Sequence, residues 1–278
     1  MEVQWYPGHM TRTKRQMLED IKLVDLVIEL LDARVPLSSR NPDIDEIAGQ
    51  KSRLILLNKK DMADSAATDE WQKYFEQQGL NVCRMDARNP GDMKQINAAV
   101  QKACAKKIER DRARGIKNRP VRAMVAGIPN VGKSTFINTF AKKSAAKTGN
   151  RPGVTRGRQW VRLSNTLELL DTPGILWPKF EDPDVGLKLA LIGSVNDNIL
   201  NTEELALELI KILNERYPGM LEGFYRVPVN SPEDIAAARC CLKAGGEYDT
   251  LKAANILLEN FRSAKIGRVS LEKVGGKI

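Results

Sequence analysis

The chain has 278 residues, enough for one full α/β domain and a smaller companion, and its 42% hydrophobic and 28% charged composition is that of a protein able to bury a core. It carries no apolar run long enough to span a bilayer, and its first residues, with Glu2, Gln4, Arg12 and Lys14, lack a secretory signal's apolar stretch, so a cytoplasmic location is expected. The formal charge of +9 fits either general solubility or a polyanionic partner.

The apolar run over 24–31, broken by Asp25 and Glu29, predicts a buried strand ending at Asp32-Ala33-Arg34. Residues 42–50 can form a short helix, and 54–57 a second buried strand that delivers Asn58. A helix over 68–78, closed by Gly79, leads to a third strand over 81–85 and then Asp86-Ala87-Arg88. One long helix is expected over 92–114, stopping at Gly115. Its surroundings concentrate the basic residues Lys102, Lys106, Lys107, Arg110, Arg112, Arg114, Lys117 and Arg119, which read either as a solvated helix face or as a contact for RNA. A joint over 115–120 precedes a strand over 121–126 and a helix over 133–143, and 159–163 with 167–170 read as a hairpin-like pair. Strands alternating with helices of about ten residues argue for a mainly parallel, doubly wound sheet. From about 183 the pattern turns helical, with amphipathic stretches over 203–216, 232–244 and 250–264. Cys83, Cys104, Cys240 and Cys241 have no zinc-ligand spacing and read as reduced, mostly buried thiols.

Three short motifs carry the chemistry. Gly127-Ile128-Pro129-Asn130-Val131-Gly132-Lys133-Ser134 fits G-x-x-x-x-G-K-[ST], a phosphate loop, and it follows a predicted strand and opens a predicted helix. Backbone N–H groups in such a loop wrap a phosphate at a helix N-terminus, where the dipole favours an anion. Val131, Gly132 and Thr135 belong to that cradle, Lys133 is placed to reach the β/γ-phosphates, and the Ser134 hydroxyl to bind Mg²⁺. Asn58-Lys59-Lys60-Asp61 fits N-K-x-D, in which the Asp carboxylate accepts from the guanine N1–H and amine, a donor pair that adenine lacks. Asp86 and Ala87 fall where a supporting base-contact loop stands; Ser-Ala is usual there, so the backbone contact carries more weight than the Asp86 side chain. Asp171-Thr172-Pro173-Gly174 fits D-x-x-G, with Asp171 expected to hold Mg²⁺ through water and the Gly174 N–H to meet the γ-phosphate. A Ras-like GTPase runs phosphate loop, D-x-x-G, N-K-x-D. Here the last motif stands first, which points to circular permutation of a whole domain, residues 1–180, ahead of a small all-α domain, residues 185–278.

Other positions leave two readings open. Thr155 is either the threonine that closes over Mg²⁺ or a turn residue. Many Ras-like GTPases place Gln after D-x-x-G to orient the attacking water, whereas this chain has Ile175, which cannot hydrogen-bond a water. Its single histidine, His9, is either the group that positions that water or a surface residue. Asn130 is either a ligand for K⁺ near the phosphates or a loop-stabilising residue.

Trp5-Tyr6-Pro7-Gly8-His9-Met10, Asp32-Ala33-Arg34-Val35-Pro36, Ser39-Arg40-Asn41-Pro42, Asn58-Lys59-Lys60-Asp61, the phosphate loop, Pro152-Gly153-Val154-Thr155 and residues 171–179 occur in that order. Together they closely resemble the bacterial ribosome biogenesis GTPase A family of the YlqF/MTG group, and 260–267 resembles it less sharply. The resemblance implies a circularly permuted GTPase that assists late assembly of the large ribosomal subunit, with hydrolysis stimulated by the ribosomal particle and His9 as the implicated catalytic residue. It also implies a helical C-terminal domain that docks on rRNA, and GTP or GDP as ligand; the free protein is expected to be monomeric and away from membranes. An alternative is an RNA-binding assembly factor whose nucleotide site is mainly structural. A permuted GTPase of the small subunit would add an OB barrel and a zinc region, against which the motifs near residue 5, the cysteine spacing and the lone histidine speak.

Overall fold

The computed structural model describes residues 15, 17–116, 119–141, 159–171, 182–195 and 201–275, with backbone only at 159 and 171. Its centre is a six-stranded sheet in the order β3-β2-β1-β4-β6-β5. These strands are β1 (Leu26–Asp32), β2 (Ser52–Asn58), β3 (Asn81–Arg84), β4 (Val121–Ala126), β5 (Gln159–Arg162) and β6 (Leu167–Asp171). All neighbours pair parallel except the edge hairpin of β5 and β6. Parallel strands covered on both faces read as unbroken apolar runs, and β1 is buried at every position.

Alternation sorts the strand residues between two layers. Leu26, Ile28 and Leu30 face one way with Leu54, Leu56, Ala123 and Val125, packing on helices α3 (Met93–Ala103) and α5 (Lys133–Phe140). On the other face Val27, Met124 and Leu170 meet α1 (Ile44–Ala48), while Leu31, Ile55 and Leu57 meet Trp71 and Phe75 of α2 (Ser65–Gln77). Asp64 starts α2 by accepting from the Ala66 and Ala67 amides, and Gly79, at φ 79°, lies just past its end. Glu29, the charge inside β1, is buried against the guanidinium groups of Arg40 and Arg53.

The helix expected over 92–114 is two helices. Cys104, with ψ 14°, separates α3 from α4 (Ala105–Ala113), although Cys104 N still bonds Val100 O and Ile108 N bonds Cys104 O. The buried Cys104 side chain holds the joint in the core, and beyond it Lys106, Arg110 and Arg112 are exposed. Lys107 pairs instead with Asp25 and Asp111.

After α6 (Pro183–Leu191) come α7 (Thr202–Arg216), α8 (Met220–Tyr225), α9 (Pro232–Ala238) and α10 (Thr250–Arg262). The helix expected over 232–244 stops at Ala238: Cys240, at φ 52°, leaves helical geometry, and Gly245 and Gly246, both at positive φ, then turn the chain so that Leu242 pairs with Tyr248. Leu205, Leu209 and Leu213 of α7 pack against Ile235 of α9 and Leu257 of α10 in the same apolar cluster as the sheet face. The chain then returns to the sheet. Val269 N bonds Met62 O and Leu271 N bonds Arg34 O, while buried Glu272 accepts from the amides of Leu37 and Ser38.

Candidate nucleotide-binding site

Because β1, β2, β4 and β6 run parallel, their C-terminal ends share one edge of the sheet, and each ends in a motif residue or feeds a motif. β1 ends at Asp32, β2 at Asn58 and β6 at Asp171, and β4 feeds the loop from Gly127. The connections from β1 and β4 leave in opposite directions, which opens the crevice where doubly wound sheets bind ligands.

The phosphate loop packs tightly. A Cβ on Gly127 would lie 2.8 Å from Leu30 O, and one on Gly132, at φ 103°, would lie 2.5 Å from Asn58 Nδ2. Both positions therefore require glycine. Lys133 at the start of α5 folds over the loop, donating to Gly127 O at 3.0 Å. Ser134 and Thr135 follow in the first helical turn, half-buried, and Val131 is buried. Asn130, at φ 58°, donates from Nδ2 to Gly193 O at 2.7 Å, and Ser194 Oγ donates to Pro129 O at 3.0 Å.

Asn58 joins this loop to the loop at 86–87. Its Nδ2 donates to Val131 O at 2.7 Å, and its Oδ1 accepts from Ala87 N at 2.8 Å. Lys59, also left-handed at φ 60°, places Nζ 2.8 Å from Asp32 Oδ2 and 3.0 Å from Asn130 O. Asp32 is fully buried and is also gripped by Arg34. Burial works to raise its pKa, but Arg34 and Lys59 together hold the carboxyl far below the usual range. Lys60 Nζ bonds Asp92, whose Oδ2 also accepts from Asp86 N at 2.8 Å.

Asp61 is different. Its Oδ2 accepts from Arg88 Nη2, while its Oδ1 is buried with no hydrogen-bond partner among the described residues. Arg88 is also held by Asp86. Burial works to raise the Asp86 pKa, but hydrogen bonds from the Arg88 side chain and amide pull it below the ordinary carboxylate value.

The structure thus brings together Asn58, Lys59, Lys60, Asp61, Asp86, Ala87 and residues 130–135. His9, Thr155 and Gly174 lie outside the described residues, and of Asp171 only the backbone is described. β6 pairs with β4 with Leu170 opposite Met124, so the backbone of Asp171 ends β6 beside the strand that feeds the phosphate loop. Among the described residues no group of three His, Cys, Asp or Glu side chains is placed to hold a metal ion. No sequence signal marked Asp92, Arg88 or the Gly193–Ser194 turn, because their roles depend on contacts across the fold.

A family model described as a 50S ribosome-binding GTPase matches residues 122–219, a segment that includes the phosphate loop and begins after the Asn58–Asp61 turn. The ribosome biogenesis GTPase A of Priestia megaterium is 48% identical over 280 residues, covering 98% of this chain and 97% of its own. That of Thermotoga maritima is 34% identical, covering 98% and 94%. The mouse mitochondrial ribosome-associated GTPase 1 is 38% identical, covering 76% of this chain and 67% of its own. Among solved structures, the GDP-bound structure of TM YlqF superposes with a TM-score of 0.66 at 30% identity, covering 93% of this chain and 99% of that one. A GNP-bound YlqF from T. maritima gives the same TM-score at 28% identity, covering 96% and 100%. The chain belongs to the ribosome biogenesis GTPase A family and is a GTP-hydrolysing enzyme.

Proposed function

We propose that this chain is a circularly permuted Ras-like GTPase, residues 1–180, joined to a helical ribosome-docking domain, residues 185–278, and that it acts in late maturation of the large ribosomal subunit. The observation that carries the nucleotide reading is the Asn58 carboxamide. It ties Val131 of the phosphate loop to Ala87 of the base-contact loop, so segments distant in sequence converge on one ligand-sized edge. Permutation is supported by the sheet order. The strand feeding the phosphate loop, β4, lies between β1 and β6, and the strand delivering Asn58 precedes it in the chain.

In this reading Asp61 accepts the guanine donors, with the backbone at 86–87 beside the base. The loop amides of 130–135 and Lys133 hold the β- and γ-phosphates, and the Gly174 N–H meets the γ-phosphate. Ser134, Thr155 and Asp171, the last through water, would hold Mg²⁺, which supplies charge neutralisation of the phosphate oxygens. The Asn130 Nδ2–Gly193 bond fixes the amide so that Oδ1 is the atom available to a K⁺ ion. With Ile175 in the place of glutamine, His9 positions the attacking water. The exposed cations Lys102, Lys106, Arg110, Arg112 and Arg114 offer positive charge suited to rRNA. No helix among the described residues is long and apolar enough to cross a membrane, and a cytoplasmic monomer is the working state.

The test is GTP hydrolysis in KCl and in NaCl, alone and with large or small ribosomal subunits, for the wild type and His9→Ala. Slow basal turnover should rise with the large subunit, and His9→Ala should lose about 10²–10⁴-fold of that stimulated rate while still binding GTP. Stimulation by the small subunit would reverse the partner assignment. Equal rates in the two salts would remove the K⁺ role.

A further inference from the structure

Guanine offers two adjacent donors, N1–H and the N2 amine, and a carboxylate takes both with its two oxygens. A guanidinium also offers paired N–H donors in one plane, and so addresses a carboxylate with a similar pattern. Arg88 meets Asp61 with one such donor. Its Nη2 donates to Oδ2, and Oδ1 is left buried and unpartnered among the described residues. Arg88 is not loosely placed. Its backbone N bonds Asp86 Oδ1 at 2.9 Å, its Nε bonds Oδ1 at 3.1 Å, and its Nη2 bonds Asp86 Oδ2 at 3.2 Å. A serine at 86 could not hold a guanidinium through two oxygens, so the departure from Ser-Ala supplies the tether.

We infer that Arg88, tethered by Asp86, competes with guanine for the Asp61 carboxylate and thereby sets how fast and how tightly the nucleotide enters. This rests on Asp61 reading the base. The competitor is weak enough to yield: the Arg88 side chain is 57% exposed and that of Asp61 31%, and exposed ion pairs contribute little. When the base takes Asp61, Arg88 keeps its bonds to Asp86, so the exchange costs one contact and creates no stranded charge. An arginine occupying Asp61 for about 80–90% of the time raises the apparent Kd roughly 5- to 10-fold.

The experiment is stopped-flow binding of ribose-labelled GDP to the full chain, comparing wild type, Arg88→Ala, Asp86→Ser and Asp61→Ala, with thermal melts to confirm folding. Arg88→Ala is expected to associate faster and to lower Kd about 3- to 10-fold, with little change in dissociation. Asp86→Ser should fall between that variant and the wild type. The advantage of Arg88→Ala should shrink as KCl rises, because screening weakens the wild-type pair. Equal or weaker GDP binding by Arg88→Ala overturns the inference. Asp61→Ala separates the two levels: if it still prefers guanine to adenine nucleotides, the base-reading assignment falls and the competition falls with it. If it loses that preference while Arg88→Ala binds like wild type, the competition alone is wrong.

Discussion

The two halves of the Asn58–Asp61 turn face opposite tasks. Asn58 and Lys59 spend their polar groups inside the protein: Asn58 on Val131 and Ala87, Lys59 on Asp32 and Asn130. Asp61, three residues later, shares one oxygen with an exposed arginine and leaves the other buried without a partner among the described residues. One half is scaffold, with its hydrogen bonds already made, and the other presents acceptors to something that arrives. A motif conventionally read as one recognition element therefore divides into a part whose loss should unfold the site and a part whose loss should blind it.

The sharpest way to test that division is at the root of the scaffold half. Asp32→Ala strands the buried Arg34 guanidinium and the Lys59 ammonium, and breaking a buried pair from one side typically costs about 3–5 kcal/mol. Urea unfolding should show a loss of that size. The pH dependence follows from the depressed pKa of Asp32. Its stabilising contribution is fully present above the ordinary Asp value of about 3.9 and is lost as pH falls through the folded-state value. Wild type should therefore shed stability below about pH 4 more steeply than Asp32→Ala. Parallel acid limbs would mean that the pair is not coupled to folding.

A second substitution separates the halves directly. Asn58→Ala leaves Val131 O and Ala87 N without their partner, and stranding buried backbone groups costs about 1–3 kcal/mol each. Stability and nucleotide binding should fall together. Asp61→Ala removes an exposed ion pair, so its melting temperature should stay within a degree or two, while guanine preference falls roughly 10²-fold or more. If Asp61→Ala melts as low as Asn58→Ala, the division is wrong.

What could be read from the sequence was local. Buried strands announced themselves because β1, β2 and β4 are largely covered on both faces and are mainly apolar, with Glu29, Arg53 and Arg122 as the charged exceptions. The phosphate loop and the Asn58 turn were legible because each follows such a strand. Breaks within helices were less so: Cys104 interrupts a helix whose hydrogen bonds continue, and Gly245-Gly246 ends a helical pattern through a hairpin pairing six residues apart. Long-range partners left no trace. Nothing in the spacing ties Lys59 to Asp32, Arg88 to Asp61, or Gly193 to Asn130, since each pair meets only when separate strand ends, and for Gly193 the turn after α6, are assembled on one edge. The domain boundary shows the same limit. Residues 269–272 lie in the helical half by sequence, yet their backbone bonds Met62 and Arg34.

That returning tail gives the finest probe, because Arg34 links it to the scaffold half. Arg34 receives Leu271 N at its carbonyl, donates Nη1 to Arg262 O, and sets its guanidinium over the Phe261 ring. Next to it Glu272 accepts from the Leu37 and Ser38 amides and from Ser38 Oγ, with Lys188 Nζ 3.8 Å away. Burial raises the Glu272 pKa, and these donors and Lys188 do not fully offset it. The sign is opposite to that of Asp32. A carboxyl whose folded pKa is raised binds its proton more tightly when folded, so its contribution is most favourable at low pH and declines as pH rises through the folded value. Glu272→Gln stays neutral throughout and keeps one carbonyl acceptor, while its Nε2 takes the place of the oxygen that accepts from the other amide, a loss that is the same at every pH. Its stability relative to wild type should therefore rise as pH increases above the ordinary Glu value of about 4.5, by less than either substitution above changes it. Thermal melts across that range test the sign, and hydrogen exchange at 263–275 shows whether the gain lies in the tail. A difference that is flat with pH, or that grows towards acid, would show that Glu272 holds the tail as a stabilised anion, and the tail would then count as part of the charged scaffold rather than an appendage to it.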